Sequence, residues 1–282
     1  MDARILPSDP AGQPNGSRPP FRLFLDFDGT LVEPNVAVVL VERFADGGAR
    51  VAHEVDEQLH RGELTLRQAW ELQAALLPWD RVEAMTEFVV QEIPLRVGAR
   101  DLIRLLTTHA VPTVVLSGGL DFYIKAVLER EGLSLPFLSD TAHRTAEGRL
   151  RVEHPHGHPV CRQCGICKAQ AIEGPVPRGE RTIFVGDGST DRFAAEVADI
   201  VFARRRLLAY CQGHGIPCYP FEDFRPVTER LRTWLEGREP PPPPRIRGLA
   251  DSLCPISRES NGAGRSAGPS PGTGRERVPN PP

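Results

Sequence analysis

The sequence predicts an α/β fold: a three-layer core with a parallel sheet between helices, and an inserted all-helical segment. Three observations predict it. Short, wholly apolar runs end in carboxylate, serine or glycine residues, as strands buried on both faces do. Helical patterns lie between these runs. A long stretch after the first run has helical periodicity and helix-start signals throughout.

The first strand is expected at Arg22–Asp26 (RLFLD). The insertion follows, over residues 33–95. Asn35 can cap a helix carrying Val36, Val39, Leu40 and Phe44 on one side. Thr65 with Gln68 fits a capping box ahead of Leu66, Ala69, Trp70 and Leu77. Asp80 with Glu83 is expected to start a further helix bearing Val82, Met85 and Val89. A stretch this long is expected to carry structure of its own, here a small helical cap over the site.

The second strand is expected at Thr113–Leu116, ending at Ser117-Gly118-Gly119, and the third at Thr182–Val185, ending at Gly186-Asp187-Gly188. A shorter fourth covers Ile200–Phe202. Helices are expected near 98–108, 121–131, 165–173, 190–198 and 204–212. Phe137–His143 and Arg149–Glu153 flank a Glu147-Gly148 turn signal and read as a small inserted hairpin. The core is therefore assigned to 21–32 and 96–236, and the cap to 33–95. Residues 1–20 and 237–282 are rich in Pro, Gly and Ser and read as disordered tails.

The net charge of -3 argues against a nucleic-acid footprint. No apolar run approaches the roughly 20 residues of a membrane span, and no signal-peptide layout opens the chain. A cytoplasmic protein with its six cysteines reduced is expected, as a monomer or homodimer.

The sharpest chemical signal is FLDFDGTLV, residues 24–32. Asp26 and Asp28 stand at alternate positions where a strand ends, so both can face one side. A carboxylate can attack phosphorus, and a second nearby can protonate the leaving oxygen and then activate water. Gly29 permits the turn, and the Thr30 hydroxyl can hold it. The bland alternative is a strand corner in which an aspartate caps a helix.

Ser117 can bind a phosphate oxygen. The amides of Gly118 and Gly119 are expected to open a helix whose N-terminus attracts anions, although a plain turn fits as well. Lys168 could neutralise charge on a nucleophile and a transferring phosphoryl group, or could be a solvated surface charge. Asp187 and Asp191 would make, with Asp26, an oxygen-rich cluster suited to Mg²⁺, or would simply cap a helix. His154, His156 and His158 precede Cys161, Cys164 and Cys167. These could hold a structural Zn²⁺, or pack as small apolar residues that position Lys168. Cys211 and Cys218 read as core and Cys254 as tail.

With these residues in this order, the chain resembles the haloacid dehalogenase-like phosphatases over roughly residues 21–236. The resemblance implies a Rossmann-like core with an inserted cap of the first class, as in the phosphoserine-phosphatase-like branch. It implies Asp26 as nucleophile and Asp28 as general acid/base. Mg²⁺ would be held by Asp26, the Asp28 carbonyl and Asp187, with Asp191 direct or through water. Ser117, Gly118 and Lys168 would hold phosphate, while Asn35 and Gly119 would face the rest of a small phosphorylated metabolite. SGGLDFYI, CRQCGICK and VFARRRLLAYCQ are similar to the 2-hydroxy-3-keto-5-methylthiopentenyl-1-phosphate phosphatases of methionine salvage. The cysteines before Lys168 also resemble those of phosphoethanolamine/phosphocholine phosphatases. Phosphoserine phosphatases usually carry an acid where this chain has Asn35, although Glu33 stands close by. The competing expectations are a phosphotransferase or mutase on the same fold, a non-catalytic phosphate-binding protein, and an interaction role for the tail from Gly237.

Overall fold

The structure is a computed structural model, and it describes residues 20–45, 47–174 and 180–245. Strand β1 (Phe21–Asp26) is buried along its whole length. It leads into one wide helical turn, Phe27–Leu31, broken at Asp28 and at Gly29, whose φ is 75°. Four helices then fill the insertion: α1 (Val36–Phe44), α2 (Gly48–His60), α3 (Leu66–Ala74) and α4 (Val82–Glu92). The core resumes with α5 (Ala99–Thr108), β2 (Thr113–Leu120), α6 (Asp121–Arg130), β3 (Phe137–Arg144) and β4 (Leu150–Glu153). It ends with α7 (Lys168–Glu173), β5 (Arg181–Gly186), α8 (Arg192–Val197), β6 (Ile200–Ala203), α9 (Arg205–Gly213), β7 (Tyr219–Pro220) and α10 (Phe224–Leu235).

The seven strands form one sheet in the order β4-β3-β2-β1-β5-β6-β7. All neighbours are parallel except β3 and β4. Leu23 and Leu25 face neighbours Thr113 and Val115 on β2 and Ile183 and Val185 on β5. Both leucines are fully buried, and truncating a side chain in such a position costs about 2–5 kcal/mol. Because β1 lies between β2 and β5, the polar residues after all three strands meet at one carboxyl edge. The chain winds outward in both directions from β1, and at such a switch point a crevice opens.

The insertion leaves and rejoins the core through two chain segments that run antiparallel, with Val32 bridging Leu95. The Glu33 amide donates to the Pro94 carbonyl and the Arg96 amide to the Leu31 carbonyl. Asn35 caps α1 by accepting from the Val38 amide, and the Thr65–Gln68 capping box is present. The inserted helices also touch the core elsewhere. Arg130 on α6 donates to the Val90 carbonyl at the end of α4. The Trp79 amide donates to the Gly148 carbonyl, and the Leu150 amide to the Leu77 carbonyl.

Several expectations need correction. Asp80 starts no helix as a side-chain cap: Trp79–Arg81 is a 3-10 turn without such a bond, and α4 begins at Val82. The hairpin is no separate insertion, because β3 pairs in parallel with β2 before turning into β4. Strand β2 continues through Leu120, so Gly118 and Gly119 extend a strand, and α6 starts only at Asp121. Helix α7 begins at Lys168 rather than near 165. Helix α10 carries Phe224, Val227, Leu231 and Trp234 buried along one face and follows no expected element.

Residues 1–19 and 246–282, which hold most of the expected tails and Cys254, lie outside the described residues. Beyond Gly237, the Arg181 guanidinium donates to the Pro242 carbonyl. Arg245 donates to the carbonyls of Ala195 and Ala198 around the end of α8. Among the described residues no helix is long and apolar enough to cross a membrane.

Candidate active site

Asp26 ends β1 and is buried. Its Oδ1 lies 2.5 Å from Lys168 Nζ, and its Oδ2 accepts from the Thr30 hydroxyl at 3.0 Å. Lys168, the first residue of α7, is also buried and lies 2.7 Å from Asp191 Oδ1. The Thr30 hydroxyl also lies 3.2 Å from Asp187 Oδ1. Asp191 Oδ2 accepts from the backbone amides of Asp187 and Gly188, both at 2.9 Å, and so closes the loop after β5. Sequence-distant residues Asp26, Thr30, Lys168, Asp187 and Asp191 therefore form one bonded group.

Burial raises the Asp26 carboxyl well above its ordinary value, and the neighbouring Asp191 and Asp187 raise it further against the pull of Lys168. Asp187 is raised for the same reasons, burial first and Asp191 next. Burial alone would lower Lys168, but Asp191 and Asp26 outweigh it and hold the ammonium above its usual range. Lys168 touches two of these three buried carboxylates, Asp26 and Asp191, while Arg204 and Arg205 offset part of the charge at Asp187. Ligand atoms of Asp26, Asp187 and Asp191 lie within 4.8 Å of one another. Hard oxygen donors in this number and at this charge fit a divalent cation such as Mg²⁺.

Asp28 belongs to a second group on the β2 side. Its Oδ2 accepts from the Tyr123 hydroxyl at 2.9 Å and from the Ser117 hydroxyl at 3.2 Å. Its Oδ1 accepts from the Val36 amide at the start of α1 at 2.9 Å. Burial raises the Asp28 carboxyl, and these donors pull it back, Tyr123 most strongly. The Gly119 amide donates to Ser117 Oγ at 3.0 Å. That amide is therefore occupied within the protein and is not part of a helix terminus. A Cβ on Gly119 would fall 1.8 Å from the Tyr123 hydroxyl and 2.4 Å from Asp28 Oδ2, whereas one on Gly118 would meet nothing within 4 Å. Gly119 thus seals the Tyr123–Asp28 contact, and Gly118 faces open space. Asn35 is exposed, and its side chain is engaged with the Val38 amide rather than drawn into either group.

Sequence reasoning missed three contributors. Tyr123, the third residue of α6, is one. The others are Arg96 and Arg204, both buried. Arg96 donates to the Gly29 and Thr30 carbonyls at 2.5 and 2.7 Å. Arg204 donates to the same Gly29 carbonyl at 2.9 Å. Two guanidiniums thus brace the turn between Asp28 and Thr30 from behind. Arg96 also pairs with Glu33.

The zinc expectation fails. Among the described residues, the three aspartates make the one cluster of carboxylate, thiolate or imidazole groups close enough for a metal. Cys161, Cys164 and Cys167 are half-buried. His154 faces Glu71 and Asp140 through its two ring nitrogens. His158 Nδ1 accepts from the Val160 and Cys161 amides. Cys211 is buried as expected, and Cys218 is half-buried.

Comparison with known proteins gives concordant likenesses. Residues 23–196 match the family described as haloacid dehalogenase-like hydrolase. The chain is 30% identical over 220 residues to a protein of Exiguobacterium sibiricum named 2-hydroxy-3-keto-5-methylthiopentenyl-1-phosphate phosphatase, covering 75% of this chain and 96% of that one. A Bacillus cereus protein of the same name is 29% identical over 219 residues, covering 76% and 97%. Among solved structures, a phospho-aspartyl intermediate analogue of phosphoserine phosphatase superposes with TM-score 0.55 at 22% identity, over 74% of this chain and 98% of that one. A phosphoserine phosphohydrolase-like protein from Francisella tularensis gives 0.58 at 15% identity, over 75% and 99%. These two carry the fold alone. The family match spans the first strand, Lys168 and the Asp187–Asp191 loop, and the chain belongs to the haloacid dehalogenase-like hydrolase family.

Proposed function

We propose that the chain is a Mg²⁺-dependent phosphomonoester hydrolase that works through an aspartyl-phosphate at Asp26. The contact of Asp26 with Lys168 inside a buried acidic cluster, with Asp28 two residues away, carries this reading. An Asp26 carboxylate oxygen attacks phosphorus, and the bond to the substrate's alkoxide oxygen breaks. Asp28 gives that oxygen its proton. Asp28 then takes a proton from the water that attacks phosphorus, and Asp26 leaves as carboxylate. Lys168 offsets negative charge on Asp26 and on the phosphoryl oxygens. Asp26, Asp187 and the Asp28 carbonyl would hold Mg²⁺, with Asp191 close by; the ion would supply charge neutralisation to the phosphoryl group. Ser117 and Gly118 would border the phosphate, with residues 33–95 as the cap above it.

For the substrate, the reading is a small diketo or enol phosphate of the kind named for the relatives. Asn35 carries no charge for a substrate ammonium, and the Glu33 carboxylate is paired with Arg96. Both favour a substrate without an amino group. Phosphate release should be measured with Mg²⁺ on phosphoserine, phosphoethanolamine, phosphocholine and 2-hydroxy-3-keto-5-methylthiopentenyl-1-phosphate, the compound in the relatives' names. The last should give the highest kcat/KM. A preference for phosphoserine would overturn the substrate reading and leave the reaction class standing. Phosphate passed to an alcohol instead of water would make the enzyme a phosphotransferase.

A further inference from the structure

Outside the acidic cluster, His154 and Asp140 are buried beside the half-exposed Glu71. His154 follows β4, and its side chain is 2% exposed. Its Nε2 lies 3.0 Å from Glu71 Oε1 on α3, and its Nδ1 lies 2.8 Å from Asp140 Oδ1 on β3. Asp140 is fully buried, and neither of its oxygens has a well-aligned hydrogen bond. The charged group beside this set is Arg67 on α3, which donates to Glu71 Oε1 at 2.9 Å.

Asp140 is buried, whereas the Glu71 side chain is 40% exposed and is also paired with Arg67. Backbone of the segment leading to Lys168 sits directly on the pair. A Cβ on Gly165 would fall 2.5 Å from Asp140 Oδ2 and 2.8 Å from His154 Nδ1. The Cys167 amide donates to the His156 carbonyl at 2.9 Å, which draws both ends of this segment together. The Arg67 amide donates to the Gln163 carbonyl at 3.2 Å, which joins the segment to α3.

We propose that His154, held between Asp140 and Glu71, is a positioning residue that seats the 154–167 segment and thereby sets Lys168 against Asp26. The proposal rests on the reading of Lys168 as a partner of the phosphoryl group. It gives the helical insertion a physical connection to the lysine, since Glu71 belongs to α3. It also gives Gly165 a reason to lack a side chain.

The test is a double-mutant cycle read by orthovanadate binding to the full chain with Mg²⁺, measured by calorimetry. His154→Gln should weaken vanadate binding about tenfold in the wild-type background and by less than about twofold in Lys168→Ala. Equal losses in both backgrounds, or none in the wild-type background, overturn the proposal alone. Binding that Lys168→Ala leaves unchanged overturns the reading of Lys168 and this proposal with it. Should His154→Gln fail to fold, Gly165→Ala takes its place in the cycle.

Discussion

The Tyr123 hydroxyl lies 2.9 Å from Asp28 Oδ2, on a ring that is fully buried. It is the strongest of the donors that oppose the effect of burial on this carboxyl. Tyr123→Phe keeps the packing and removes one hydrogen bond to a charged group, an interaction of about 1.5–3 kcal/mol. We expect kcat to fall by at least about tenfold, with KM nearly unchanged and the melting temperature lowered by several degrees. Steady-state kinetics beside a thermal melt check this, and an unaltered kcat would remove Tyr123 from the mechanism.

The two glycines after Ser117 should respond differently to alanine. A methyl at Gly119 collides with the Tyr123 hydroxyl and with Asp28, while one at Gly118 enters open space. Gly119→Ala should lose most activity, and Gly118→Ala should fold normally and retain the Asp28 geometry. Crystal structures of the two variants, with phosphate-release rates, distinguish them. Equal tolerance of both substitutions would contradict the close approach.

Arg96 and Arg204 predict an effect on stability as well as on rate. Arg96→Met leaves the Thr30 carbonyl without its guanidinium donor and removes one of two from Gly29. Unfolding in urea should show a loss of about 2–4 kcal/mol. Arg205→Ala, at an exposed neighbouring position, should change stability by less than about 0.5 kcal/mol. Matching midpoints for Arg96→Met and wild type would show that the braced turn holds itself.

Asp26, Asp28 and Asp187 were legible because they stand at or just after the end of a short apolar strand, and Asp191 because it precedes the next helix. The sheet order β2-β1-β5 then gathers them without further specification. Thr65 and Gln68 were legible because a capping box is local. The bracing arginines were not. Arg204 meets the Gly29 carbonyl 175 residues away in sequence, and only the completed sheet brings them together. The cysteine spacing suggested zinc, but spacing does not reveal that both nitrogens of His154 are engaged by carboxylates. Helix α10 was readable from Phe224, Val227, Leu231 and Trp234 at helical intervals. Pro226 interrupts that pattern only in the first turn, where its missing N–H would have no intrahelical partner anyway.

Metal removal should act on the folded state itself. With Asp26, Asp187 and Asp191 crowded together, Mg²⁺ at about a hundred times its dissociation constant should stabilise the protein by about 2.7 kcal/mol. Chelation should abolish phosphate release and lower the melting temperature. Asp187→Asn removes one of the repelling charges, so the metal-free variant should melt above the metal-free wild type and gain little from Mg²⁺. Melts of both proteins with and without the ion give the sign directly. A wild type that chelator and Mg²⁺ leave at one melting temperature would show that the cluster binds no such ion.

The nucleophile is tested most directly by phosphoryl labelling. Wild-type protein incubated with a radiolabelled phosphomonoester and Mg²⁺, then quenched in acid and digested, should carry label on the peptide containing Asp26. Asp26→Asn should carry none and release no phosphate, while its circular dichroism matches the wild type. Label on that peptide in the variant, or phosphate release at the wild-type rate, would contradict the assignment of Asp26.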